Sequence, residues 1–184
     1  MSENHMEMRE LIQNRELSQW HLMIASLLGS LASQQGMFNQ AFLNRLLAHS
    51  METFVIPYFE TMPEYSIAVN EAASRTSLTE KLKPAVEFIN MVFQLAGDVD
   101  VLNNNDGNPA VRIGSASCRF CPIGVGKAKM TPGDTFCPFP TMIEKTINAI
   151  LGDSSVVTVM KREGMKTKIL EKKDGNCYIA FKGS

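Results

Sequence analysis

The residues of this chain best suited to chemistry are its four cysteines. Cys118 and Cys121 are separated by two residues, Cys137 follows after fifteen more, and Cys177 after a further thirty-nine. A Cys-x2-Cys pair brings two sulfurs round one tight turn, close enough to bind a single cation. Gly124, Gly126 and Gly133 lie before Cys137 and let the loop fold back to add a third thiolate. This is metal-ligand spacing of the zinc-ribbon kind. Pro122 and Pro138 each follow a cysteine, fixing φ and removing a backbone donor beside the sulfur. Cys177 stands just after Asp174-Gly175. It reads as the fourth ligand, since a structural zinc takes four, or as a small buried apolar residue. Arg119, Lys127 and Lys129 are candidates to offset the charge of a four-thiolate zinc centre, which is about −2.

Other chemistry finds less support. Gly124-Val125-Gly126-Lys127 resembles a phosphate loop only superficially. Cys121 stands where the first glycine is needed, and Ala128 where a Ser or Thr would hold magnesium. Ser115 and Ser117 have no histidine beside them, and no G-x-S-x-G motif occurs. His5, His21 and His49 fall in helical stretches far from the cysteines and read as helix-face or capping residues. A catalytic zinc needs three protein ligands and an open position. Cys118, Cys121 and Cys137 alone would meet that need, so a zinc-dependent enzyme is one alternative. An iron–sulfur redox centre on the same thiolates is another.

The elements that must position the cysteines form a helical first half and a strand-rich second half. Ile12, Trp20, Met23, Ile24, Leu27, Leu28 and Leu31 recur at helical spacing. A second helix, interrupted from the first at Gly36, runs over Phe38–Met51 and ends by Pro57 and Pro63. A third carries Leu82, Val86, Ile89, Phe93 and Ala96 and closes at Gly97-Asp98. Ser77-x-x-Glu80 caps it, and Pro84 suggests a short turn before its main part. Val99–Leu102 and Ala110–Ile113 flank a run of turn formers and read as a hairpin. Thr141-x-x-Glu144 reads as the cap of a helix stopped at Gly152. Val156–Met160, Lys168–Leu170 and Cys177–Phe181 read as strands, the last two joined at Asp174-Gly175. The whole is an α+β fold, helical over residues 1–98 and strand-rich over 99–184, and reads as one compact domain.

Charge is almost balanced, 18 basic against 19 acidic residues, so a basic footprint for nucleic acid is missing. No apolar run is long enough for a membrane span, and the first ten residues carry acids rather than a basic signal region. The expected compartment is the cytoplasm, where cysteines hold metal or stay reduced. Twelve methionines fill the core or line an adaptable apolar cavity. Phe38–Met51 is apolar on most sides, which suits either enclosure within one subunit or two-fold pairing in a homodimer.

The cysteine loop, then CPFPTMIEKTINAILG, then VVTVMKREG and the ending KKDGNCYIAFK together resemble the vinyl-4-reductase-like domain. That family is a small-molecule or hydrocarbon-binding module frequent in archaea and bacteria. The resemblance covers about Val111 to Lys182. It implies an antiparallel sheet packed on helices, akin to TRAPP subunits whose relatives hold an acyl chain, and it implies that dimers are common. The Cys118-x2-Cys121 pair departs from many members and favours a structural metal over a transferred enzymatic role. The expectation is therefore a zinc-stabilised, non-catalytic protein that binds an apolar small molecule. Its pocket would lie between sheet and helices and be lined by Phe42, Leu46, Phe54, Phe88, Met91 and Phe93.

Overall fold

The computed structural model describes residues 3–34, 39–130, 136–152, 157–159 and 170–183. Gly36, Phe38, Gly133, Val156, Met160 and Lys168 fall outside them. The first apolar repeat is split between two helices, α1 (Glu3–Asn14) and α2 (Gln19–Ser33), with Glu16 in the left-handed region at φ 51° between them. Ser18 makes the break. Its hydroxyl accepts the His21 N–H at 3.3 Å, and its own N–H donates to His21 Nδ1 at 3.0 Å. Each of the two residues thus caps a donor of the other.

Helix α3 (Gln40–Ser50) is capped by Asn39, whose side chain accepts the Phe42 N–H at 3.0 Å. Pro57 does not end this helical segment. A π-helical turn, Met51–Val55, leads without a break into α4 (Ile56–Phe59), the Ile56 N–H donating to the Met51 carbonyl, and Pro57 lies in the first turn of α4. Pro63 likewise opens a helix, α5 (Pro63–Ser74), which the pattern of large apolar residues did not reveal. The buried face of α5 is Tyr65, Ala68 and Ala72, mostly small residues that leave no strong periodic signal. Helix α6 (Leu78–Phe93) starts at the Ser77 cap, whose hydroxyl accepts the Glu80 N–H, with no separate short turn before Pro84. It runs unbroken past Pro84 and ends at left-handed Gln94 rather than at Gly97.

Strands β1 (Val99–Asn103) and β2 (Pro109–Gly114) form the expected hairpin. Helix α7 (Phe139–Leu151) closes at Gly152, φ 59°, but its cap is Pro138. Thr141 and Glu144 are buried inside the helix instead: Thr141 Oγ1 donates to Asn44 Oδ1 at 3.0 Å, and Glu144 Oε2 accepts the Val159 N–H at 2.6 Å. Strands β3 (Val157–Val159), β4 (Glu171–Lys173) and β5 (Asn176–Gly183) complete an antiparallel sheet of order β1-β2-β5-β3, with β4 also paired to β5. Asp174 and Gly175, both at positive φ, make the tight turn from β4 to β5.

Register decides which side chains face the helices. Val99, Ile113 and Cys177 form one row across the sheet, and Val101, Val111 and Ile179 the next. This face packs with α5, α6 and α7 in one core that includes Phe59, Ile89, Phe139, Ile143, Ile147 and Phe181. The helices from Met51 to Phe93 and the strands after residue 98 therefore share a single α+β core. Cys177 lies on its inner side, at the end of the sheet nearest the Asp174-Gly175 turn.

Candidate metal centre

Three separate pieces of chain deliver the four cysteines. After β2 the backbone coils at once: the N–H groups of Ser117 and Cys118 both donate to the Gly114 carbonyl at 3.1 Å. This turn sets Cys118 against Ala96 in a lone antiparallel bridge and buries it. The next turn is closed by Val125 and Gly126, whose N–H groups donate to the Cys121 carbonyl at 2.9 and 3.0 Å. It aims the Gly124 N–H at Cys121 Sγ, 3.2 Å away.

Cys137 is fixed at the entry to α7 by a side chain from another helix. The amide of Gln40 accepts the Cys137 N–H and donates to the Cys137 carbonyl, both at 2.7 Å. A buried primary amide that satisfies both backbone groups of one residue holds it in register. Cys177 stands opposite Ile113 on one side and Lys172 on the other, with its sulfur 3.6 Å from Ser115 Oγ.

The thiols act on one another electrostatically. Hydrogen bonding with Cys118 holds the Cys121 thiol well below its usual range against the cost of burial, aided by the N–H groups of Gly124 and Ile123 and the charge of Arg15. The same bond pushes Cys118 far up, with burial and the charges of Cys137 and Cys121 adding to it. Burial pushes Cys137 up to about 12, with Cys177 and Cys121 contributing. Burial also raises Cys177, which feels Cys121. One thiolate is thus favoured, and each further one is opposed by burial and like charge. A divalent cation would remove that opposition, so the donor set fits a soft metal ion. Among the described residues, no three cysteine, histidine, aspartate or glutamate side chains are grouped closely enough to hold an ion. None of the four cysteines is in a disulfide.

The surrounding charges differ from those expected. Arg119 is directed away from the sulfurs, donating to the carbonyls of Arg15 and Gln94 and pairing with Glu16 at 2.6 Å. The cations acting on the thiols are instead Arg15, on Cys121, and Lys172, on Cys137 and Cys177. Arg15 Nη1 also donates to the Cys118 carbonyl at 2.6 Å. Neither residue has a local sequence signal, because Arg15 arrives from a turn a hundred residues away and Lys172 across a strand pair. Gln40 and Ser115 were missed for the same reason.

The histidines are occupied elsewhere. His21 is buried between Ser18, the Phe93 carbonyl at 3.4 Å and the edge of Phe120, and His49 bonds Thr53. The side chain of His5 is outside the described residues. The residues expected to line an apolar pocket are dispersed. Phe88 is buried in edge contacts with Phe59 and Tyr65, and Phe93 packs on Phe59. Phe42, Leu46, Phe54 and Met91 are 44%, 51%, 66% and 48% exposed, so the six do not enclose one interior cavity. Helical spacing put them on apolar stripes, but the sheet and α7 cover other faces of those helices.

Comparison with known families matches residues 60–183 to the family described as MJ0207, from just after α4 to β5. No curated protein and no solved structure matches the chain.

Proposed function

We propose that the chain, which belongs to the MJ0207 family, is a non-catalytic binding protein stabilised by a structural zinc on Cys118, Cys121, Cys137 and Cys177. One observation carries the metal reading. Three chain segments far apart in sequence bring all four cysteines against one apolar core, Cys118 buried in it and Cys121, Cys137 and Cys177 partly buried on it. Four thiolates close a zinc site, whereas a catalytic zinc keeps a position open. When bound, the ion would supply the positive charge that lets all four thiols ionise. Gly124 would steady the Cys121 sulfur, Gln40 the Cys137 backbone, and Arg15 and Lys172 would offset the remaining negative charge.

Elemental analysis of protein purified under reducing conditions tests this. One zinc per chain, lost in Cys121→Ser and in Cys177→Ser, is the expected result. Equal metal content in parent and variants would defeat it. Metal lost from Cys121→Ser but kept in Cys177→Ser would leave a three-thiolate site, the arrangement an enzyme needs. Visible absorption after anaerobic purification would replace zinc by an iron–sulfur cluster.

The binding role rests on the apolar surface of the N-terminal helices and on the resemblance to vinyl-4-reductase-like modules. Trp20, Met23 and Leu27 on α2, Phe42 and Leu46 on α3, and Phe54 and Tyr58 beyond it are all exposed. Such a surface suits an apolar small molecule or the two-fold pairing of a homodimer. Leu43 is only 3% exposed and belongs to the interior, so the pairing face on α3 is Phe42 and Leu46. No described helix is long and apolar enough to cross a membrane. A cytoplasmic location, where thiols stay reduced, is part of this proposal.

A further inference from the structure

Helices α1 and α2 precede the segment that matches the family, and among the described residues they reach the rest of the fold mainly through the cysteine loop, residues 115–130 and 136–138. Leu17 and Ala25 form a small buried cluster with Val125, and Cys121 packs against it. Leu28 and Ala32 meet Phe136, Ala128 and Met130, together with Leu43 of α3. The backbones approach so closely that side chains are excluded. A Cβ on Gly126 would stand 2.0 Å from the Ala25 carbonyl oxygen, and one on Gly29 would stand 2.4 Å from the Gly126 oxygen. Polar contacts tie the same surfaces. Arg15 donates to the Cys118 carbonyl at 2.6 Å, and Arg119 donates to the Arg15 carbonyl at 2.8 Å. The Arg15 guanidinium lies over Gly124, 3.1 Å from where a Cβ would be. His21, which bonds the Phe93 carbonyl, provides a contact that bypasses the loop.

We infer that the segment from Arg15 through α2 is the outer wall of the thiol cluster, with Arg15, Gly29 and Gly126 as positioning residues, so that metal binding and helix docking stabilise each other. This rests on the metal reading above. The physical link is the loop, which is largely irregular and holds the surface on which both events depend. An ion that joins Cys118, Cys121 and Cys137 fixes that surface for α2. A docked α2 holds the Cys118–Gly126 turns in the shape the ion needs. Coupling of this kind is reciprocal, so whatever weakens one event weakens the other by the same factor.

The test uses the full chain. Zinc affinity is measured by chelator competition for the parent, Gly29→Ala and Arg15→Ala, and hydrogen exchange is followed with and without chelator. Alanine is a better helix former than glycine, so Gly29→Ala leaves α2 itself sound and disturbs only its seat. Arg15→Ala removes the tie to the Cys118 carbonyl together with a charge acting on Cys121, so Gly29→Ala is the variant that isolates docking. Both variants should bind zinc about tenfold more weakly or worse, within the usual range of coupling. Chelation should speed exchange across α2 while α6 and α7 stay protected. Parent-like affinity in both variants, or α2 exchange indifferent to chelator, would overturn the coupling while leaving the metal site standing. A parent that binds no zinc overturns the metal reading and this inference with it.

Discussion

The core of α6, α7 and the sheet and the N-terminal helix α2 are both rich in apolar residues, yet they bury different kinds of residue. In the core, large side chains disappear: Ile89, Ile143, Ile147, Ile179 and Phe181 are wholly enclosed. In α2 the buried positions are Ala25, Leu28, Gly29, Ala32 and His21, while Trp20, Met23 and Leu27 face outward. The core is held by side-chain volume removed from water. Helix α2 is held by close backbone approach to a loop and by the polar contact of His21 with the Phe93 carbonyl. Apolar spacing therefore locates a helix without saying which side of it is covered, and a region can be helical without having a core of its own. Helix α2 leans instead on the cysteine loop.

The largest effect should come from the core. Ile147→Ala removes a fully buried side chain from the middle of α7 and should cost about 2–5 kcal/mol in chemical denaturation. Metal removal should add little to that loss if the two regions are independent. Gly126→Ala is expected next, at about 1–3 kcal/mol, because the new methyl meets backbone that cannot rotate away. Its signature should be local, with rapid exchange in α2 and normal exchange in α7. Uniform loss of protection would mean that α2 and core are one cooperative unit.

Smaller effects mark the surface. Arg112 forms an ion pair with Asp98 at 2.7 Å, the Asp98 side chain being 52% exposed. Asp98→Asn should cost at most about 1 kcal/mol, less in high salt. Hydrogen bonding from Arg112 holds the Asp98 carboxyl below its usual range. The pair's stabilisation is thus complete above the ordinary carboxylate pKa, about 3.9, and is lost as pH falls through the lower folded value. Acid titration of parent against Asp98→Asn should show the two stabilities converging there. Leu46→Lys should change stability least, within about 0.5 kcal/mol, since its side chain is already half in water. Its effect should appear in sedimentation, as a shift from dimer to monomer. A parent that already sediments as a monomer would end the pairing proposal, and an unfolded variant would show that Leu46 is internal.

Much of the fold was legible from local chemistry. The Ser77 cap, the Gly152 stop, the Asp174-Gly175 turn and the β1–β2 hairpin each depend on a few neighbouring residues, and each appears where its sequence signal stands. Errors arose where a local signal met a tertiary demand. Thr141 and Glu144 look like a helix cap, but Asn44 and the backbone of β3 take their polar atoms, and the helix begins earlier. Pro57 and Pro63 look like terminators, yet Pro57 lies within a continuous helical segment and Pro63 occupies a first turn, where proline fits well.

The sequence by itself determined the α+β class and the candidate ligands, because thiol chemistry and turn chemistry are properties of residue type and short spacing. Tertiary structure alone decided the company those residues keep. It brought Arg15 and Lys172, rather than Arg119, to act on the thiols, and set Gln40 to clasp Cys137. It also set Gly29 against Gly126 and turned Phe42 outward beside buried Leu43. Each of these contacts joins residues far apart along the chain or selects one of two adjacent helix faces, and only packing of the whole fold makes that choice.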